Sequence, residues 1–374
     1  VLSTSLYGVS NGSRPMRVLD PDLDIKAIGQ STPVSGATNT LTVTLKSVSY
    51  DMPAGTTITV SGLTGTQTST GTLTITPNDS GISTSGTWTD TGTLVLTVAG
   101  SGLTDGTSYT ASFDLTNSAD TYSSPPVSVQ VALKDGSTDV GSIEQVAMDK
   151  PDTDLYGVPK GTNPLEVLVP AFTVKSIEQS TPFSDSSNTL TLTLKPNYRL
   201  ESGSTVTITG LTGSQTGDAS SLSVSSSGDR LGSSGVWTQN TGALELTVTS
   251  SGLDSPSKDT ANYEVTFVLT NTATTQSSPT VSVEAIMKDA SGNNIGSISR
   301  ANMTKQGTDL FGVSAGKNPL EVLVPSMLTR SIRQSTPATD ANNTLTVTFR
   351  SNYHLESDST ITITGLTGSQ TNSG

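Results

Sequence analysis

The chain is 374 residues long, with 35 Gly, 18 Pro, no Cys and one His, and its 19 basic against 32 acidic side chains give a formal charge of -13. Without cysteine there is no disulfide scaffold, thiolate nucleophile or Cys-ligated metal, and one histidine cannot build a multi-histidine site. An acidic balance repels nucleic-acid phosphates, and no apolar run approaches the roughly 18 to 20 residues of a membrane-spanning helix.

In chain order, the sequence opens on Thr4-Ser5-Leu6-Tyr7-Gly8-Val9, which returns as Thr153-Asp154-Leu155-Tyr156-Gly157-Val158 and as Thr308-Asp309-Leu310-Phe311-Gly312-Val313. Next comes Gln30-Ser31-Thr32-Pro33, which returns at Gln179 and Gln334, spacings of about 149 and about 155 residues. Strands follow it. Leu41, Val43 and Leu45 alternate with threonine, as do Leu190, Leu192, Leu194 and Leu345, Val347, Phe349, a period of two that marks half-buried antiparallel strands. Gly62-Leu63-Thr64-Gly65-Thr66-Gln67-Thr68 and its copies at Gly210 and Gly365 read as a turn. Downstream in the second copy, Val206 and Ile208, then Leu244, Leu246 and Val248, then Val265, Phe267 and Leu269, then Val281 and Val283 predict four more strands. No stretch sustains a 3.6-residue period.

Each unit thus holds about seven to nine strands, the number of a two-sheet Ig-like sandwich. The expected fold is all-β: tandem Ig-like antiparallel β-sandwiches joined by short ordered linkers. The repeats divide the chain into the end of a joint (residues 1–14), a first sandwich (15–148), a joint (149–163), a second sandwich (164–303), a joint (304–318) and the N-terminal part of a third sandwich (319–374). The proline-led strands Asn163-Pro164-Leu165-Glu166-Val167-Leu168 and its twin from Asn318 make the joints ordered and not floppy tethers. Because the third copy stops in mid-domain, the sequence is expected to be a window on a longer array; its start at Val1 leaves room for a removed leader.

The Leu-Thr-Val-Thr-Leu run, followed by Gly203 to Thr216, resembles repeats in large secreted or surface proteins of algae and other protists, of the flagellar-hair or extracellular-fibril type. The resemblance implies an extracellular, glycosylated structural protein and brings no catalytic residues.

Candidate sites are few. His354 aligns with Arg199 and Asp51, so imidazole chemistry would exist in one copy only. Carboxylate pairs recur poorly: Glu166 and Glu321 align with Arg17, and Glu178 with Gly29 and Arg333, which reads as solvated charge and not as a glycosidase pair. No cofactor is expected, although the acidic joint residues Asp149, Asp152 and Asp154 and the run Asp20, Asp22, Asp24 leave structural calcium conceivable. Trp88 and Trp237 are read as core pins between sheets, and Tyr7, Tyr156 and Phe311 as joint packing aromatics. Lys134 with Asn117, and Lys288 with Asn271, raise an isopeptide cross-link. Asn11, Asn78, Asn302 and Asn342 head glycosylation sequons, no more than chance supplies in a chain where Ser and Thr make up roughly a third of residues. Turns such as Ser220 to Ser227 and Thr272 to Ser278 are the expected O-glycan sites.

What repeats most faithfully is joint, turn and core, while ionisable residues drift. The function expected from this is a non-enzymatic subunit of an extracellular or cell-surface fibre, whose partners are copies of itself, with open sheet edges for pairing. The alternatives are the stalk of a surface adhesin and the accessory sandwiches of a carbohydrate-active enzyme.

Overall fold

The computed structural model describes residues 4–371 and shows an all-β chain of Ig-like antiparallel sandwiches joined by short ordered linkers. Unit 1 contains β1 (Asp22–Gln30), β2 (Thr38–Val48), β3 (Thr57–Ser61), β4 (Gly71–Thr74), β5 (Thr76–Pro77), β6 (Ser85–Thr89), β7 (Thr93–Thr97), β8 (Tyr109–Thr116), β9 (Ser128–Asp135) and β10 (Thr138–Ala147). One sheet runs β1-β2-β8-β5 and the other β10-β9-β3-β7-β6-β4. Reading β1, β2, β3, β5, β8, β9 and β10 as strands A to G, these are the A-B-E-D and G-F-C orders of an immunoglobulin sandwich, with three strands added beside C.

Unit 2 repeats the plan with β11 (Phe172–Gln179), β12 (Ser187–Pro196), β13 (Thr205–Thr209), β14 (Ala219–Ser226), β15 (Ser234–Thr238), β16 (Ala243–Thr247), β17 (Tyr263–Thr270), β18 (Ser282–Lys288), β19 (Asn294–Asn302) and β20 (Thr304–Lys305). Beyond it, β21 (Met327–Gln334) and β22 (Leu345–Ser351) pair with each other, and residues 352–371 carry no strand.

Period-two alternation makes the core. Leu41, Val43 and Leu45 on β2, and Leu190, Leu192 and Leu194 on β12, are all buried, each contributing about 1.5–3 kcal/mol of apolar burial. Their threonine neighbours turn outward and tie adjacent strands: Thr40 Oγ1 donates to Asp114 at 2.6 Å, and Thr42 and Ser112 hydroxyls lie 2.9 Å apart.

The sheet edges, expected to stand open, are closed in part, with β10 and β19 each keeping one neighbour only. On one side β14 switches sheets, pairing first with β15 and then with β17; in unit 1 the same path is split into β4, which pairs with β6, and β5, which pairs with β8. On the other side the chain leaves β10 and crosses to β1, where Asp149 N donates to Lys26 O (2.8 Å) and Ile28 N to Asp149 O (3.0 Å). In unit 2 the crossing segment is β20, parallel to β11. Exchange of strands between the sheets thus covers the β1 and β11 edges, and β10 and β19 remain as edge strands.

Candidate functional site

No cleft gathers ionisable groups, and among the described residues no three His, Asp or Glu converge as a metal site. The most elaborate polar construction is the joint. In Leu155-Tyr156-Gly157-Val158 the outer residues exchange backbone bonds at 3.1 and 2.9 Å around Tyr156 (φ 50°) and Gly157 (φ 74°), the two left-handed positions of a type I′ turn. The copies at Tyr7-Gly8 (50°, 75°) and Phe311-Gly312 (51°, 73°) are superposable in φ, which is why glycine holds the second position in all three.

The second and third joints are built into the sandwiches that precede them. Gln30, at the end of β1, donates Nε2 to the carbonyls of Gly161 and Glu166, both at 2.8 Å, while its Oε1 accepts from Leu165 N (2.7 Å) and Asn39 Nδ2 (2.8 Å). Asn39 donates to Asn117 Oδ1 as well (2.8 Å), and Asn117 Nδ2 donates to the carbonyls of Thr32 (3.0 Å) and Val34 (2.9 Å). Gln67 braces the cluster by donating Nε2 to Asn117 O at 2.6 Å. Unit 2 repeats it: Gln179 Nε2 donates to Gly316 O and Glu321 O at 2.8 Å, its Oε1 accepts from Leu320 N (2.7 Å) and Asn188 Nδ2 (2.8 Å), and Asn188 bonds Asn271. Asn39, Asn117, Asn188 and Asn271 are fully buried, and no buried side-chain N or O among the described residues lacks a partner. A satisfied buried network of this kind holds one geometry, because any slippage strands a polar group.

The joint also adds a strand and an apolar plug. Val167 and Tyr122 exchange backbone bonds at 2.7 and 2.8 Å, Leu168 N donates to Pro33 O (2.9 Å), and Leu165 is buried in the unit 1 core. Leu165 and Val167, which the repeat pattern assigns to the second sandwich, are thus held by the first, while Leu168 packs against the core of the second. Lys150 seals the edge, its ammonium bonding the carbonyls of Ser124 and Pro125; burial pushes that amine below its ordinary pKa. Glu166 and Glu321 accept from the amides of Ser124 (2.8 Å) and Ser278 (2.7 Å), so they are structural acceptors and not the free solvated charges expected.

The other face of the joint belongs to the following sandwich. Val158 lies in the unit 2 core, Tyr156 packs against it, and Val34, reaching across from unit 1, joins the same cluster. Tyr198 is fully buried and donates its hydroxyl towards Pro33 O (2.9 Å) and Leu168 O (2.6 Å), one group of unit 1 and one of the joint; burial drives its phenol pKa far upward. At the next joint Tyr353 bonds Pro182 O (2.9 Å) and Leu323 O, and Phe183, Phe311 and Tyr353 stack at 5.2 and 4.5 Å. Tyr7 stacks on Tyr50 at 5.6 Å and donates to Asp135 (3.1 Å), which with slight burial raises its pKa.

The other residues singled out in the sequence lie elsewhere. Trp88 and Trp237 are buried, each donating its indole N–H to a turn carbonyl, Thr68 at 3.0 Å and Thr216 at 2.9 Å. Asn117 and Asn271 are committed to the buried cluster, donating to the carbonyls of Thr32 and Thr181 at 3.0 Å, and Lys134 pairs with Asp139 at 3.7 Å, so among the described residues no hydrogen bond joins either asparagine to the lysine raised as its cross-link partner. Asp152 is bonded to Asn163 and paired with Lys160, and Asp154 is paired with Lys258 at 3.0 Å; these bonds hold both carboxyls low. On the earlier run, Asp24 pairs with Lys46 at 2.7 Å, and Asp22 accepts from Leu23 N. The His354 imidazole is exposed; its backbone N–H bonds Phe311 O at 2.8 Å. Asn78, Asn302 and Asn342 are exposed, and Asn11 is half-buried at φ 58° in its joint.

No family model matches the chain, and no curated protein does. Among solved structures it is similar to the collagen adhesin of S. aureus (11% identity, TM-score 0.21, covering 76% of this chain and 90% of that one) and to the Enterococcus faecalis MSCRAMM ACE (12%, 0.20, 77% and 93%). A type II cohesin dyad from the scaffoldin ScaA of Acetivibrio cellulolyticus also matches (12%, 0.19, 74% and 98%). At these TM-scores the likeness transfers no function; the sandwich assignment rests on strand order.

Proposed function

We propose that the chain is a non-enzymatic structural rod that works outside the cell or on its surface, in which every joint is locked into the sandwich on each side of it. One observation carries this reading: a single segment supplies Leu165 to the core of unit 1 and Val158 to the core of unit 2, and the buried Tyr198 hydroxyl bonds unit 1 and the joint together. Bending such a joint would expose apolar side chains and break buried hydrogen bonds at once, so the angle between sandwiches is held. Exposed Asn78, Asn302 and Asn342 are the glycan positions this reading favours.

Small-angle scattering from dilute monomer tests it. The expected result is one elongated species whose profile fits a rigid array; a profile demanding an ensemble of freely pivoting sandwiches refutes it. Electron microscopy of the source-purified protein then separates a fibre, with its regular axial repeat, from an adhesin stalk ending in a distinct globule.

A further inference from the structure

In units 1 and 2 the first strand and the departing chain run side by side and parallel. In unit 1 the chain leaving β10 lies against β1, where Asp149 N donates to Lys26 O (2.8 Å) and Ile28 N to Asp149 O (3.0 Å). The second joint carries the contact onward. Gln30 N donates to Thr162 O (3.1 Å), the Gln30 side chain holds Gly161, Leu165 and Glu166, and Leu168 N donates to Pro33 O (2.9 Å). Unit 2 repeats the seam: β20 pairs with β11 through Ser176 with Thr304 and Ile177 with Lys305, and Gln179 N donates to Lys317 O (3.0 Å). The Gln179 side chain then holds Gly316, Leu320 and Glu321, and Leu323 N donates to Pro182 O (3.0 Å).

Direction decides how such a seam responds to a pull. The backbone enters unit 2 at the Phe172 end of β11 and leaves it past Leu323, which is bridged in parallel to Phe183 at the opposite end. Tension along the backbone therefore slides one segment along the other. The N–H···O bonds lie across that direction and are loaded together, whereas an antiparallel terminal pair would release both chain ends from one side and open bond by bond.

The departing segment is also gripped on its other flank. Val322 and Gln276 exchange backbone bonds at 2.8 Å, Ser278 N donates to the Glu321 carboxylate at 2.7 Å, and the Lys305 ammonium donates to Ser278 O at 3.0 Å. In unit 1, Val167 with Tyr122, Glu166 with Ser124, and Lys150 do the same. Sliding either segment past its first strand breaks both rows and drags a buried leucine, Leu165 or Leu320, out of a core.

We propose that the chain bears tension along its length, each sandwich held shut by its parallel seam, with Gln30 and Gln179 as the central ties. That the load runs along the array rests on the rod reading; the resistance of the seam to shear does not. Repeated in series, the two seams are built from the same bonds, so neither is the evident weak link.

Single-molecule force spectroscopy of the 374-residue chain is the test. The chain has no cysteine, so an introduced pair defines the pulling axis. Val169→Cys with Ser326→Cys loads the second seam in shear. Ser187→Cys with Ser326→Cys places both handles at the Phe183 end and peels the same seam. All three positions are exposed, and unchanged tryptophan fluorescence verifies that the variants fold. At one loading rate the rupture force on the shear axis is expected to be about twofold or more above that on the peeling axis, and Gln179→Met to lower the shear force by about a third. Equal forces on the two axes, or a shear force that ignores Gln179→Met, overturn the proposal. Stiffness is read separately, from the scattering of the unloaded monomer, so a strong seam beside a pivoting joint and a weak seam in a stiff array are told apart.

Discussion

Replacing Gln179 by methionine keeps the side-chain length and the backbone bond from residue 179 N to Lys317 O (3.0 Å), and removes every side-chain hydrogen bond to the third joint. Two donations, to Gly316 O and Glu321 O, and one acceptance, from Leu320 N, vanish, while Asn188 keeps its bond to Asn271. Gly316 and Leu320 are buried, and each polar group stranded there costs about 1–3 kcal/mol. Water re-entry as the joint loosens caps the sum, so docking should weaken by about 3–5 kcal/mol. At about 1.4 kcal/mol per decade, that is a factor of 10² or more in opening. Native-state hydrogen exchange reads it at Val322 and Leu323, whose own acceptors, Gln276 O at 2.8 Å and Pro182 O at 3.0 Å, are untouched. Both amides should exchange about 10²-fold faster, while Val167 and Leu168 in the preceding joint stay unchanged. If Val322 and Leu323 stay within threefold of wild type, or if the central strands β12 and β17 lose protection equally, the glutamine is not the latch.

Gly157→Ala forces a Cβ to φ +74° and to 2.7 Å from Ser255 Oγ and 3.1 Å from Arg199 N; a loss of about 1–3 kcal/mol is expected. Thermal unfolding followed through Trp237 in a Trp88→Phe background measures it, and an unchanged midpoint refutes the turn assignment. Burial pushes the Tyr353 phenol up to about 12, from 10.0 for a free side chain, so the folded state binds more protons than the unfolded one as pH rises through that window. The third joint should therefore keep its full stability below about pH 10 and lose it progressively towards pH 12, a loss that Tyr353→Phe abolishes. Alkaline titration followed by phenolate absorbance and by exchange at Leu323 checks both parts.

Much of the fold was legible because alternation is a local property. Leu41, Val43 and Leu45 can be counted into a buried strand without knowing what lies opposite, and Tyr156-Gly157 carries its turn in its own backbone preference. The site was not legible in the same way. Gln30, Asn39, Gln67 and Asn117 each belong to a motif visible as a repeat, but they lie on four separate segments, and only the folded sandwich brings them within 3 Å of one another's groups. Asn117 was singled out for a cross-link, the right residue with the wrong partner; an uncharged amide retained beside an apolar run was the available signal of a buried network. A period also has no intrinsic phase. Counting repeats cannot say whether Leu165 opens one unit or closes the one before, and the packing puts it in the core of unit 1.

The same distinction explains why Asp51, Arg199 and His354 drift in identity at one place in the repeat. Each contributes its backbone N–H, donated at 2.8 Å to the carbonyl of Tyr7, Tyr156 or Phe311, and any residue but proline supplies that group. The side chain is left free to adapt to its neighbours: Arg199 pairs with Glu201 at 2.6 Å and with Asp254, whereas His354 stands exposed. Tyrosine stands three times over at the preceding position: the Tyr50 ring stacks on the joint residue Tyr7, and the hydroxyls of Tyr198 and Tyr353 each bond a proline carbonyl of the sandwich before, Pro33 and Pro182. What is held constant along this chain is the set of groups that fix one sandwich against the next, the pattern on which the proposal of a rod rests.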